Sequence, residues 1–170
     1  LMRQAVSSRM VADVPLGAFL SGGVDSSAVV ALMAEASPRA VKTLSIGFDQ
    51  ADLDETEYAD RIAARFATEH HKRMVDANDY GLIDRIAQSF DEPFADASAL
   101  PMFRVSELAR EHVTVALSGD GADEAFAGYR RLVFQHQEER VRRFIPGGVR
   151  RNVLGPLGAI YPKADWAPRP

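Results

Sequence analysis

Two short segments carry most of the residues able to do chemistry: Ser21-Gly22-Gly23-Val24-Asp25-Ser26-Ser27 and Ser118-Gly119-Asp120-Gly121-Ala122-Asp123-Glu124. In the first, two glycines let the main chain approach an oxyanion, and three serine hydroxyls offer further donors. The segment follows an apolar run, Leu16 to Leu20, and precedes an Ala/Val-rich stretch, Ala28 to Ala36. That order, strand then turn then helix N-terminus, points unpaired amides and the positive helix end at an anion. An ordinary Gly-Gly turn with serine caps would share the S-G-G pattern but has no use for the following D-S-S. No lysine follows as in G-x-x-x-x-G-K-[ST], and the G-x-G-x-x-G spacing is missing, so the loop is neither a Walker nor a dinucleotide fingerprint.

The second segment places three carboxylates within five residues, Asp120, Asp123 and Glu124, in an S-G-x-G frame. Acids decorating a helix start would account for Asp123 or Glu124 alone. A carboxylate-rich turn opposite a phosphate cradle is self-consistent if a magnesium ion lies between them, since Mg²⁺ takes one or two carboxylates plus phosphate oxygens. Asp25 and Asp123 are then expected to flank that ion.

Alternating strands and helices must position these turns. Helical periodicity covers Arg3 to Ala12, with Val6, Met10 and Val11 on one face. Gly17 to Leu20 reads as a buried strand, Ser26 to Ala36 as a helix ended by Ser37-Pro38. Lys42 to Phe48 is a strand, Asp54 to Phe66 a helix opened by acids, and His70 to Val75 a strand. Ala77-Asn78-Asp79 leads into a helix with Leu82, Ile83 and Ile86 inward. Asp91-Glu92-Pro93-Phe94 forms a turn, Leu100 to Arg110 a helix, and Val113 to Leu117 a β-branched strand. The pattern predicts an α/β fold, a parallel sheet with helices on both faces, and a ligand beyond the strands' carboxyl ends near a reversal of strand order.

Composition narrows the function. With 46% apolar and 26% charged residues the chain reads as an ordinary soluble domain, and a net charge of -4 gives no reason to expect nucleic acid. It contains no cysteine, which excludes disulfides, thiolate metal sites and a cysteine nucleophile within it. No apolar run approaches a membrane span and no signal-peptide pattern opens it, so a cytoplasmic setting is expected. Helical periodicity already under way at Leu1 and a proline-rich end, Tyr161 to Pro170, read as a domain excised from a larger enzyme. The expected organisation is a nucleotide-binding domain over residues 1–145 and a tail over 146–170.

Taken together, the two motifs about ninety residues apart resemble the synthetase domain of glutamine-dependent asparagine synthetases, a PP-loop ATP pyrophosphatase domain. Arg9-Met10-Val11-Ala12-Asp13-Val14-Pro15-Leu16-Gly17 and Asp91-Glu92-Pro93-Phe94-Ala95-Asp96 match that pattern, and the likeness runs to about residue 131. Tyr129-Arg130-Arg131 and Tyr161 to Trp166 resemble the branch associated with bacterial exosortase and exopolysaccharide clusters. The resemblance implies an adenine nucleotide alpha hydrolase-like three-layer sandwich using ATP and Mg²⁺. A carboxylate, the aspartate side chain first, is adenylated with release of pyrophosphate. Ammonia from an N-terminal glutaminase domain then displaces AMP, and a sugar acid is the alternative acceptor.

By the same resemblance Ser21, Gly22, Gly23, Asp25, Ser26 and Ser27 hold pyrophosphate and metal. Leu20, Ile46 and Gly47 line the adenine pocket with Ser118 and Gly119 nearby, and Asp123 completes the metal shell. Asp25 is thereby catalytic as well as metal-binding. Asp120 stands where the family often has a glutamate assisting ammonia attack, one methylene shorter. The family's downstream pyrophosphate lysine has no matching motif here, Lys163 lying in the proline-rich tail. A C-terminal helical segment and a possible homodimer belong to the full-length enzyme, and the fragment alone is expected to turn over little. Adjacent His70 and His71 point to opposite faces and suit structural roles. Asp96 and Ser98 suit either substrate contact or helix capping, and Arg130 and Arg131 a solvated helix face.

Overall fold

The computed structural model describes residues 1–50, 54–76 and 80–160. The chain forms two compact units, Leu1–Gly121 and Ala122–Pro170. The first contains α1 (Met2–Arg9), β1 (Leu16–Phe19), α2 (Val24–Ala36), β2 (Lys42–Phe48), α3 (Thr56–Arg65) and β3 (Glu69–Val75). A 3-10 turn (Tyr80–Leu82), α4 (Ile83–Ala87), α5 (Ala99–His112) and β4 (Val115–Leu117) complete it. The second holds α6 (Ala122–Phe126), α7 (Arg130–Phe144), α8 (Gly147–Val149), a π-type turn (Arg150–Leu154) and α9 (Gly155–Ile160).

All four strands run parallel in the order β3-β2-β1-β4, with Gly17 opposite Lys42 on one side and Ala116 on the other. The pleat divides the β1 region between two cores. Ala18 and Leu20 join Val29, Val30 and Met33 of α2, Val6 of α1 and Ala59 and Ala63 of α3. Phe19, Leu44 and Ile46 face the opposite layer, against Val105, Leu108 and Ala109 of α5. Alternating residues thus enter different layers because successive side chains leave a strand on opposite faces. Helices cover both faces, as expected of a parallel sheet.

The chain builds β1, β2 and β3 outward in one direction, then returns to lay β4 on the other flank of β1. The strand order therefore reverses between β1 and β4, where α/β sheets open a crevice at their carboxyl ends. The loops following β1 and β4 are the two glycine-rich segments.

Several sequence-based boundaries shift for local reasons. α1 stops at Arg9, and Val11 is 88% exposed, so only Val6 and Met10 of the expected face pack inward. β1 begins one residue earlier than expected. Leu20 lies past the strand yet still donates its amide to Leu44 O at 2.9 Å. Val113 is buried but unpaired in the ladder, because its amide closes α5 on Ala109 O, and β4 starts at Val115. α2 starts at Val24, two residues early, while α3 starts at Thr56, two residues late. Leu82 is buried, but Ile83 is 55% exposed, correcting the inward face expected there. Ala77, Asn78 and Asp79, and the tail with Lys163 and Trp166, lie outside the described residues.

Candidate active site

The loop after β1 is braced from within. Ser26 is buried, and its Oγ accepts the Ser21 amide at 3.2 Å, lies 2.9 Å from Ser21 Oγ and donates to Gly23 O at 3.3 Å. Ser21 Oγ accepts in turn from the Gly23 amide at 3.2 Å. These two hydroxyls are occupied in shaping the turn. Ser27 is different, for its Oγ is buried and has no hydrogen-bond partner among the described residues. A buried hydroxyl without a partner costs about 1–3 kcal/mol, so a ligand oxygen that bonds it recovers that cost.

The two glycines of the loop have separate reasons. Gly22 sits at φ +82°, and a Cβ there would stand 2.5 Å from Tyr58 Cβ and 2.6 Å from Ala59 N, so α3 forms the loop's rear wall. Gly23 is the N-cap of α2 at φ −64°, ψ 162°, a conformation open to any residue. A Cβ there would meet only Ser21 Oγ, at a tight 3.3 Å. The backbone does not require glycine at this position, and a Cβ would fit if Ser21 Oγ gave way by a few tenths of an ångström. No side chain caps α2.

The second glycine-rich turn seats directly on the first. A Cβ on Gly119 would lie 2.8 Å from Ser26 N and 3.0 Å from both Asp25 C and Asp25 Cβ. Ser118 Oγ donates to Asp120 Oδ2 at 3.0 Å and accepts the Asp120 amide at 3.2 Å, which holds the exposed Asp120 beside the strand end. Sequence reasoning places these two loops together, and within the first unit they meet. Asp25, half-buried on the first turn of α2, faces this contact.

Asp123 belongs to the second unit. There Gly128 donates its amide to Asp123 O at 3.0 Å, and a Cβ on Gly128 would overlap the Asp123 carboxylate. Tyr129 donates its hydroxyl to Glu124 Oε1, which holds the Glu124 carboxyl below its usual range and lifts the Tyr129 phenol. No group of three or more His, Asp or Glu among the described residues could cage a metal ion. A magnesium ion held chiefly by phosphate oxygens and water needs no such cage, only one or two carboxylates. The uncapped start of α2, the unpartnered Ser27 hydroxyl and the half-buried Asp25 suit such a Mg-pyrophosphate group.

The residues expected to line an adenine pocket divide between layers. Leu20 is 1% exposed and its side chain belongs to the α2 core, while Ile46 packs toward α5. Their side chains do not share a wall, and Leu20 O is already engaged by Ser45 Oγ. Gly47 lies under α3, where a Cβ would stand 2.6 Å from Thr56 Cγ2, 2.7 Å from Met74 Sδ and 2.8 Å from Asp54 Oδ1. Asp54 accepts from Thr56 N at 3.2 Å and from Thr56 Oγ1 at 3.0 Å. Sequence reading treats Asp54 only as an acid favoured by the helix dipole. The Asp-x-Thr spacing carries the finer signal of an Asx turn.

The other candidates resolve into structural roles. His70 Nδ1 lies 2.9 Å from Thr43 Oγ1, and burial pushes its pKa below the ordinary value. His71 stacks on His112 with centroids 3.6 Å apart and reaches Glu69 at 3.0 Å. Asp96 accepts the Ser98 amide at 2.8 Å, which lowers its pKa, whereas Ser98 makes no side-chain cap on α5. A cavity of about 660 Å³ lies along α4 and α5, lined by Phe90, Phe94 and Leu100 with the carboxylates Asp91, Glu92 and Asp96. Its lining includes no cation to receive a carboxylate substrate. Arg130 is exposed, and Arg131 lies 4.4 Å over the Tyr129 ring.

A parallel sheet with helices on both faces and a glycine-rich loop at the strand reversal is the architecture of a PP-loop α/β domain of the adenine nucleotide alpha hydrolase-like type. Solved structures with this architecture include an NH3-dependent NAD synthetase from Campylobacter jejuni, with a TM-score of 0.50 and 17% identity over 75% of this chain and 57% of that one. An NMN synthetase from Francisella tularensis matches with a TM-score of 0.51 and 20% identity over the same shares. The asparagine synthase family model matches residues 1–165, and the chain belongs to that family. It is 45% identical over 145 residues to a putative asparagine synthetase [glutamine-hydrolyzing] 2 of Methanocaldococcus jannaschii, covering 84% of this chain and 28% of that protein. It is 39% identical over 163 residues to asparagine synthetase [glutamine-hydrolyzing] 1 of Bacillus subtilis, covering 94% and 25%. The chain thus spans about a quarter of the length of these relatives. No described helix is long and apolar enough to cross a membrane.

Proposed function

We propose that this chain is the ATP-binding part of an amide-forming synthetase that adenylates a carboxylate, the aspartate side chain first, and passes it to ammonia. Family membership and the relatives' names support the reaction class. The observation that carries the reading is Gly23, a glycine that its backbone conformation does not require, at the start of a helix whose first-turn amides no side chain caps.

In this reading a carboxylate oxygen attacks the α-phosphorus of ATP, and the bond from that phosphorus to the pyrophosphate oxygen breaks. The first-turn amides of α2 and the Ser27 hydroxyl take up the charge growing on the leaving group. Ser21 and Ser26 keep the loop in shape rather than reach the ligand. Asp25 would hold a magnesium ion here, and that ion would supply further neutralisation of the leaving group. Ammonia, delivered by a glutaminase domain of the same natural protein, then displaces AMP from the acyl carbon. In this reading Asp120, whose carboxylate accepts the Ser118 hydroxyl, takes a proton from the attacking nitrogen.

The test is product identity with the natural protein that carries this chain. ATP, Mg²⁺, ammonium and aspartate should yield asparagine, AMP and pyrophosphate in equal amounts. Formation of ADP and phosphate would overturn the chemistry, and equal products with another acid from a carboxylate panel would reassign the acceptor.

A further inference from the structure

Resting on the phosphate-cradle reading, we propose that Asp54 is a positioning residue for the loop Ser21–Ser27, acting through the first turn of α3 without touching the ligand. Two glycines, Gly22 in the loop after β1 and Gly47 in β2, lie against this one turn. Gly22 abuts Tyr58 Cβ and Ala59 N, and Gly47 abuts Thr56 Cγ2 and Asp54 Oδ1. The turn is therefore wedged between the end of β2 and the back of the loop, and the loop's position follows from its own.

What fixes the turn is Asp54. Glu55 occupies the N-cap position and makes no side-chain hydrogen bond. Asp54, one residue earlier, binds both the amide and the hydroxyl of Thr56, and Thr56 is buried. Behind it the Tyr58 and Ala59 amides share the Glu55 carbonyl at 3.1 and 3.4 Å, the second a long contact. Without the Asp54 clasp, the wall behind Gly22 keeps that shared carbonyl and the packing of Ala59 in the core, but no side-chain cap fixes the turn's leading end. Gly22 occupies a left-handed conformation, and the wall leaves no room for a side chain there.

The experiment compares the natural protein with its Asp54→Ala and Asp54→Asn variants by two readouts. Amide hydrogen exchange of Gly22 to Ser27 is measured without ligand, with Leu44 as an internal standard for global opening. Magnesium pyrophosphate binding is measured by calorimetry, and KM for ATP is compared with KM for the carboxylate. Losing a capping interaction should speed loop exchange and weaken pyrophosphate about five- to tenfold in Asp54→Ala, with Leu44 exchange and the carboxylate KM unchanged. Asp54→Asn keeps an acceptor for Thr56 and should restore both to within about twofold. Unchanged loop exchange and binding in Asp54→Ala, or Asn failing as badly as Ala, overturns the positioning role. Should Asp54→Ala not fold, Thr56→Val removes only the hydroxyl arm and should give a loss in the same direction; no change there overturns the role. If the unaltered protein binds no pyrophosphate, the functional reading falls while loop exchange still decides Asp54.

Discussion

Replacing Gly23 with alanine separates what the fold needs from what a ligand needs. The backbone at φ −64°, ψ 162° accepts alanine, and the new methyl meets only Ser21 Oγ at 3.3 Å, which must shift by a few tenths of an ångström. Alanine restricts the unfolded chain, a gain of about 0.4–1 kcal/mol. It is a poorer N-cap than glycine, a loss of about 0.5–1 kcal/mol. The two nearly cancel, so Tm should stay within about 3 °C. The methyl nonetheless adds bulk at the N-cap of α2, beside amides that an oxyanion must approach to within about 3 Å to be bound. Losing two charge-assisted hydrogen bonds at about 1.5 kcal/mol each removes about 3 kcal/mol, more than a hundredfold in affinity. Thermal melting and magnesium pyrophosphate titration of Gly23→Ala test both halves. Binding within about threefold of the parent would refute the ligand rationale for this glycine, and a Tm loss above about 8 °C would show that the fold itself demands it.

Other perturbations read neighbouring parts of the structure. Gly119→Ala drives a methyl onto Ser26 N at 2.8 Å, so it should lower stability by about 1–3 kcal/mol and weaken pyrophosphate binding as well; melting and titration that both match the parent would contradict the close seating of the two loops. Asp120→Ala should leave pyrophosphate binding intact and slow amide formation about a hundredfold, the range for a general acid–base group; unchanged turnover would remove Asp120 from the chemistry. His70 has its pKa depressed below 6.5, with burial outweighing Asp60 and with Lys72 and His71 acting in the same sense as burial. The unfolded chain then binds more protons, so His70 contributes stability above pH 6.5 that is lost as pH falls toward and through the folded pKa. His70→Gln should flatten that slope in urea titrations run from pH 7.5 to 5, and an unaltered slope would count against it.

The sheet was readable because β1 and β2 are short apolar or β-branched runs bounded by glycine and charge, and their residues enter two cores by simple alternation. The two loops were readable because their residue types have few other uses. Less visible was the division of labour inside the first loop. Ser21 and Ser26 brace it while Ser27 remains without a partner, and three serines in a row of seven look alike until coordinates separate them. The α3 wall was hidden for a related reason: Tyr58 and Ala59 look like ordinary helical residues, and only Gly22's missing side chain reveals their contact. Ile83 misled because a 3-10 turn ahead of α4 rotates the face that periodicity assumes to be continuous.

The reversal of strand order also has a kinetic meaning. Strands β1, β2 and β3 pair across short separations, whereas β4 is only three residues long and pairs with Gly17 and Ala18 from almost a hundred residues away. Closing so long a stretch of chain for so few hydrogen bonds puts β4 among the last elements to dock. Gly119 arrives with it, so the cradle is finished only at the end of folding. An anion bound there would then act as a latch on the slowest-formed part of the sheet. Pyrophosphate should slow unfolding while leaving the refolding rate nearly unchanged, and a ligand-dependent refolding rate in stopped-flow would show that β4 docks early.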